Sequence, residues 1–182
     1  MEEYEPLLNL AREAIESHFS GKDLEVSDEI KKKYKEKKAC FVTLSEQGDL
    51  RGCVGSLEAR QELWKDVIEN AINAGFYDSR FPELEEEEFE GIGIEISVLS
   101  KPEKLEYQNS DDLLKKLDKD MGLILKKGFH SATFLPQVWE QIPDKEIFLE
   151  QLSMKAGLFK DDWKDAEIEF YRVDKVEEDE ED

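Results

Sequence analysis

Cysteine, histidine and arginine are all scarce in this chain, with two, two and five among 182 residues. Two cysteines cannot build a disulfide framework, so Cys40 and Cys53 are expected as reduced thiols. No stretch approaches the ~18 consecutive apolar residues of a membrane span, and the start MEEYEP has neither the basic nor the apolar region of a secretory leader. A cytosolic protein is therefore expected. The histidines and cysteines show no C-x-x-C or H-x-x-x-H spacing, so no metal site is expected. A P-loop is lacking, and GIGIEIS has neither the third glycine nor the helix of a dinucleotide fingerprint, so no cofactor is expected. Positive charge is also short: 46 acidic residues against 25 basic give a net charge of −21. That surplus argues against nucleic acid as a partner, because such binding draws on cations placed against phosphates. The one dense basic run, KKKYKEKK from Lys31, reads as a solvated connector.

What the chain does have is clear periodicity. Leu7, Leu8, Ala11, Ala14, Ile15, His18 and Phe19 recur on one face of an opening helix, which makes His18 a packed or boundary residue. KACFVTL and LRGCVGSL flank SEQGD and read as a β-hairpin. With Gln47 and Gly48 as a two-residue loop, Val42 lies opposite Cys53, Cys40 is only diagonal to it, and Arg51 shares a face with Cys53. A helix follows from Arg60 with small residues toward its end, then the break DSRFPEL, an acidic run Glu85 to Glu88 read as a solvated face, and the alternating strand GIGIEISVLS. A second series repeats the order: a helix capped by Ser110, a hairpin turning at Gly128, a helix opening at Pro136, a helix stopping near Gly157, and a last strand AEIEFYRV. Trp64, Trp139 and Trp163 read as core anchors. This arrangement implies an α+β fold with mixed or antiparallel sheets and an internal duplication. The tail EEDEED, residues 177–182, is expected to be disordered.

Glycine weakens a strand by roughly 0.5–1 kcal/mol relative to alanine. Gly52 and Gly55, on either side of Cys53, therefore mark a place where something approaches the backbone. Cys53 has two readings, a small core hydrophobe or a nucleophile; in the second, the Arg51 guanidinium favours the thiolate and glycine-flanked N–H groups face a developing oxyanion. His130, after the second hairpin turn, is the available base for Cys53, or else a solvent-exposed turn residue. Arg80 in DSRF either binds a substrate carboxylate or phosphate through its planar fork, or pairs with Asp78 or caps the preceding helix. Gln137 caps its helix or orients a ligand, and Glu95 faces a polar cleft or solvent.

LRGCVGSL, DSRFPEL, EISVLSKPEKL, GLILKKG, TFLPQVWEQ and FLEQLSMKAGL occur in an order that resembles the AMMECR-type domain family, over residues 1–176. Val54 stands where isoleucine is more usual. The resemblance implies a two-lobed α+β architecture, interleaved or sequential; our own expectation for the site is a ligand-binding cleft between the lobes, lined by Cys53. It fixes no activity. Prokaryotic relatives associated with Memo-like and radical SAM proteins make these candidate partners. The functions carried forward are a thiol-dependent enzyme or binder of a small molecule or modified substrate, and, in competition, a non-catalytic protein-interaction adaptor.

Overall fold

The computed structural model describes residues 3–178, which divide into two compact units. Among the described residues the elements run α1 (Glu5–Ser20), α2 (Asp28–Lys33), β1 (Ala39–Glu46), β2 (Asp49–Gly55), α3 (Leu63–Phe76), α4 (Glu86–Phe89), β3 (Ile92–Leu99), β4 (Glu103–Lys104), α5 (Ser110–Lys116), β5 (Gly122–Lys127), β6 (His130–Phe134), α6 (Val138–Gln141), α7 (Lys145–Lys155), β7 (Glu167–Tyr171) and β8 (Val173–Glu177). The fold is α+β, with two four-stranded antiparallel sheets.

The first unit comprises residues up to Leu99 together with those from Asp174. Its sheet has the order β2-β1-β3-β8. Helices α1 and α3 cover one face, burying Leu7, Ala11, Ala14 and Ile15 with Val67, Ala71 and Ala74 against Val42, Leu44, Ile94 and Ile96. Each large aliphatic side chain buried there contributes about 1.5–3 kcal/mol. The small residues late in α3 let its backbone come unusually close to β2: a Cβ on Gly52 would lie 2.1 Å from the Ala74 carbonyl oxygen.

The second unit, Ser100–Val173, has the sheet order β4-β7-β5-β6. Leu123, Leu125 and Ile168 pack with Phe148, Leu149 and Leu152 and with the buried indoles of Trp139 and Trp163. Trp139 stacks on Phe148 and donates Nε1–H to the Met121 carbonyl at 2.9 Å.

Read from its other end, the second sheet is β6-β5-β7-β4, the same plan as β2-β1-β3-β8. In both, the hairpin's second strand is outermost, followed by its first strand, then the strand after the helices, then an added strand. The added strand comes after the rest of the unit in one case (β8) and before it in the other (β4), so the duplication is circularly shifted. Glu103-Lys104-Leu105-Glu106 and Asp174-Lys175-Val176-Glu177, at the two added strands, carry the same pattern.

Several expectations shift. AEIEFYRV is two strands in different sheets, separated at Arg172. Asn109, one residue before Ser110, caps α5 by accepting the Asp112 N–H at 3.0 Å. Helix α6 starts at Val138, two residues past Pro136. The basic connector begins as the end of α2 and is anchored by Tyr34, which is buried and donates its hydroxyl to the Glu3 carbonyl. In the acidic tail, Glu177 ends β8, and Glu178 accepts from Arg12 Nε and Nη2 at 2.9 and 2.6 Å and from the Ile94 N–H at 3.0 Å. The rest of that tail, 179–182, lies outside the described residues.

Candidate functional site

The hairpin that carries LRGCVG turns as expected at Gln47 and Gly48, both at positive φ (52° and 84°), as a two-residue hairpin of this hand requires. Its register does not follow from that turn alone. Glu46 pairs with Asp49 and Ser45 with Leu50, but Leu44 pairs with Gly52, leaving Arg51 as an extra residue in a β-bulge. Cys53 therefore lies opposite Thr43, not Val42. A one-residue slip exchanges the faces of a strand, so the consequence is large. Val42 is in the core, whereas Thr43 points away from the helices. The bulge thus turns Cys53 out of the core, where its side chain is half-buried.

Thr43 also pairs with Glu95 on β3, so Cys53, Thr43 and Glu95 form one row across the sheet. Thr43 Oγ1 donates to Cys53 Sγ at 3.3 Å, and Glu95 pairs with Lys175 at 2.7 Å. Cys40 faces the opposite way. It is 0% exposed, with Sγ 3.3 Å from an Asp66 carboxylate oxygen that also accepts the Cys40 and Asn70 N–H groups. Burial, reinforced by the Asp66 charge, pushes the Cys40 thiol well above its ordinary pKa.

Strand β2 is the outermost strand of its sheet, and the DSRFPEL segment satisfies its free edge. Asp78 Oδ2 accepts the Cys53 N–H at 2.9 Å, and Arg80 Nη2 donates to the Cys53 carbonyl at 3.1 Å. Arg80 also grips Asp78 through Nε and Nη2 at 3.0 and 2.7 Å. The guanidinium, helped by the Cys53 and Arg80 N–H donors, holds the Asp78 carboxyl far below the usual carboxylate range. Carboxylate and guanidinium stand where a neighbouring strand's acceptor and donor would be.

Arg51 serves the same segment. It is 9% exposed and donates to the Pro82 and Glu83 carbonyls and to Glu88 at 2.5 Å. Its hydrogen bonds go to these groups and not to the Cys53 thiol, contrary to the proximity expected from strand period. Glu88 is correspondingly an ion-pair partner and not part of a solvated face. The Cys53 N–H, engaged by Asp78, is not free to meet an oxyanion. Both glycines mark close approaches, but by the protein itself: the Ala74 carbonyl at Gly52, and the Phe41 ring and Cys40 carbonyl at Gly55, 2.4–2.6 Å from where a Cβ would sit.

The remaining candidates belong to the second unit. His130 is exposed at the start of β6, with Nδ1 2.9 Å from the Ala156 carbonyl. Gln137 is exposed at the N-cap position of α6 and makes no side-chain cap bond. Among the described residues, no three His, Cys, Asp or Glu side chains gather as a metal site. No helix there is long and apolar enough to cross a membrane. Asp66 and Asp78 organise the two cysteines: the pairing of Asp78 with Arg80 is as expected, whereas its bond to the Cys53 N–H and the role of Asp66 were not signalled by the sequence. The signal available for Asp78 was its place two residues before Arg80.

Residues 8–176 match the AMMECR1 family. The chain belongs to that family. Relatives include a protein of Methanothermobacter thermautotrophicus, 40% identical over 170 residues covering 91% of this chain and 88% of its own length. Protein NEQ441 of Nanoarchaeum equitans is 38% identical, covering 91% of this chain and 93% of its own. Among solved structures, uncharacterized protein PH0010 from Pyrococcus horikoshii is similar with a TM-score of 0.82 and 34% identity, over 98% of this chain and 92% of that one. The AMMECR1 match spans both units.

Proposed function

We propose that this AMMECR1-family protein is a small-molecule binder whose site is the helix-free face of the first sheet, with the Cys53 thiol as the contact group. The observation that carries this reading is the clamp on the Cys53 peptide. Asp78 holds its N–H and Arg80 its carbonyl, while the side chain stays half-buried beside the Thr43 hydroxyl in the row that ends at Glu95. A backbone fixed on both sides presents its side chain in one orientation, the condition for a preorganised contact. Among the described residues the side chain hydrogen-bonded to the sulfur is the Thr43 hydroxyl, which is not a general base, and this favours binding over nucleophilic catalysis.

A thermal-shift screen of small polar molecules against the wild type, Cys53→Ala and Glu95→Gln tests this. A ligand of this face raises the wild-type Tm and loses at least half of that shift in each variant. If every hit shifts all three proteins equally, the site is elsewhere.

The adaptor reading is favoured by one observation: Leu50 (47% exposed) opens one motif segment and Tyr77 (65%) immediately precedes the other. A Tyr77→Ser/Leu50→Ser variant that abolishes capture of a specific protein, with small-molecule shifts intact, would decide for it.

A further inference from the structure

The segment after Ile30 is the densest run of lysines in the chain. Lys31, Lys32, Lys33, Lys35 and Lys37 are all exposed, and none has a carboxylate within 4 Å among the described residues. Elsewhere some lysines have an acidic neighbour, as Lys116 has Asp112, Lys127 has Asp162 and Lys175 has Glu95, and others, such as Lys22, Lys101 and Lys119, have none within 4 Å among the described residues, but those are scattered singly along the chain. Within seven residues five lysines stand against one carboxylate, Glu36, a local excess of positive charge on a chain with 46 acidic residues.

Their backbone is fixed. Ser27 caps α2, Tyr34 is buried, the Glu36 carbonyl accepts the Leu63 N–H at 2.9 Å, and Lys37 bridges to Glu62 across the start of α3. The dipole of α2 accounts for cations in its last turn, Lys31 to Lys33, at about 0.3–1 kcal/mol each. It does not account for Lys35 and Lys37, which lie beyond the helix. Lys31 also sits over the Trp64 ring, 5.9 Å from its centroid, whereas Lys65, on the same ring, is taken up by Glu62 at 2.5 Å.

We infer that this segment docks an acidic peptide segment of a partner protein, with about five carboxylates in as many residues. The size of the patch selects that occupant over nucleic acid. Three helical and four extended residues span on the order of 15–20 Å, and beyond it the protein is more acidic than its net −21 indicates. Screening acts over only about 8 Å at physiological salt. A long polyanion would overrun the patch onto like charge, whereas a short acidic segment ends with it. This inference is independent of the Cys53 site.

The test is fluorescence anisotropy of the full chain with fluorescein-labelled octaglutamate at 50 and 200 mM NaCl. Lys32→Gln/Lys35→Gln/Lys37→Gln removes three cations that, among the described residues, have no carboxylate within 4 Å and no aromatic contact. A scattered control, Lys22→Gln/Lys101→Gln/Lys119→Gln, makes the same change in net charge. Thermal melts confirm that both variants fold. The expected result is saturable, salt-weakened binding that falls at least ten-fold in the first variant and less than two-fold in the control. No binding at 50 mM NaCl, equal losses in the two variants, or tighter binding of a twelve-nucleotide thymidine strand would overturn the proposal.

Discussion

The two units share a strand plan but differ in the row that crosses the middle of each sheet. In the first the row is Cys53, Thr43 and Glu95; in the second it is Thr133, Ile124 and Glu169, followed by Lys104. Ile124 is buried where the first unit has a half-buried threonine, and the hydroxyl of the buried Tyr171 lies 3.1 Å from the Thr133 hydroxyl. Burial pushes the Tyr171 phenol up to about 12. The second row is thus closed at its centre by Ile124 and the Tyr171 phenol, with Thr133 and Glu169 half-buried at its sides, while the first has no such plug and carries a thiol where the second has a threonine. One topology carries both, and a single inserted residue at the hairpin edge, together with the choice of side chains in the row, separates a packed face from a chemically equipped one.

The sharpest way to break this comparison is at the glycines. Gly52→Ala drives a methyl into the α3 backbone and is expected to destabilise by about 3 kcal/mol or more. Gly122→Ala meets the Tyr171 ring at 2.2 Å, a side chain and not main chain, so about 1–3 kcal/mol is expected. Urea unfolding of the two variants measures the difference, and equal values would remove the distinction between a backbone contact in one unit and a side-chain contact in the other.

Glu88→Ala leaves the Arg51 guanidinium nearly buried with only carbonyl partners and should cost about 2–3 kcal/mol, read in the same way. Asp78 gives the first unit an acid signature. Its carboxyl is depressed in the folded state, so its contribution is complete above the ordinary value of about 3.9 and is lost as pH falls below it. Asp78→Asn should flatten the stability profile between about pH 4 and pH 2 and leave its slope above pH 5 unchanged. Smallest is Tyr171→Phe, about 1 kcal/mol for the hydroxyl's bonds to Thr133 and Phe134, with no effect on the Cys53 thiol.

Much of this was legible in the chain. Helical stripes located α1 and α3, Gln47-Gly48 and Gly128 located both hairpin turns, and the order of elements implied the duplication. Periodicity carries such features because it reports local geometry. The bulge at Arg51 did not show, since an extra residue in one strand is defined only by its partner strand. The strand partner of Cys53, Thr43 and not Val42, and the neighbours of Arg51 differ from expectation for the same reason. Gly52 and Gly55 correctly signalled close approach, but composition cannot distinguish a ligand from the Ala74 carbonyl or the Phe41 ring. The division of AEIEFYRV between sheets was hidden because β7 and β8 are separated by one residue and join different units.

The outward turn of Cys53 at the bulge is tested most directly by alkylation of the native protein with iodoacetamide, followed by peptide mass mapping. One label per chain is expected, on Cys53, with Cys40 modified only after unfolding. Native protein that takes no label, or takes it on Cys40, would contradict the account.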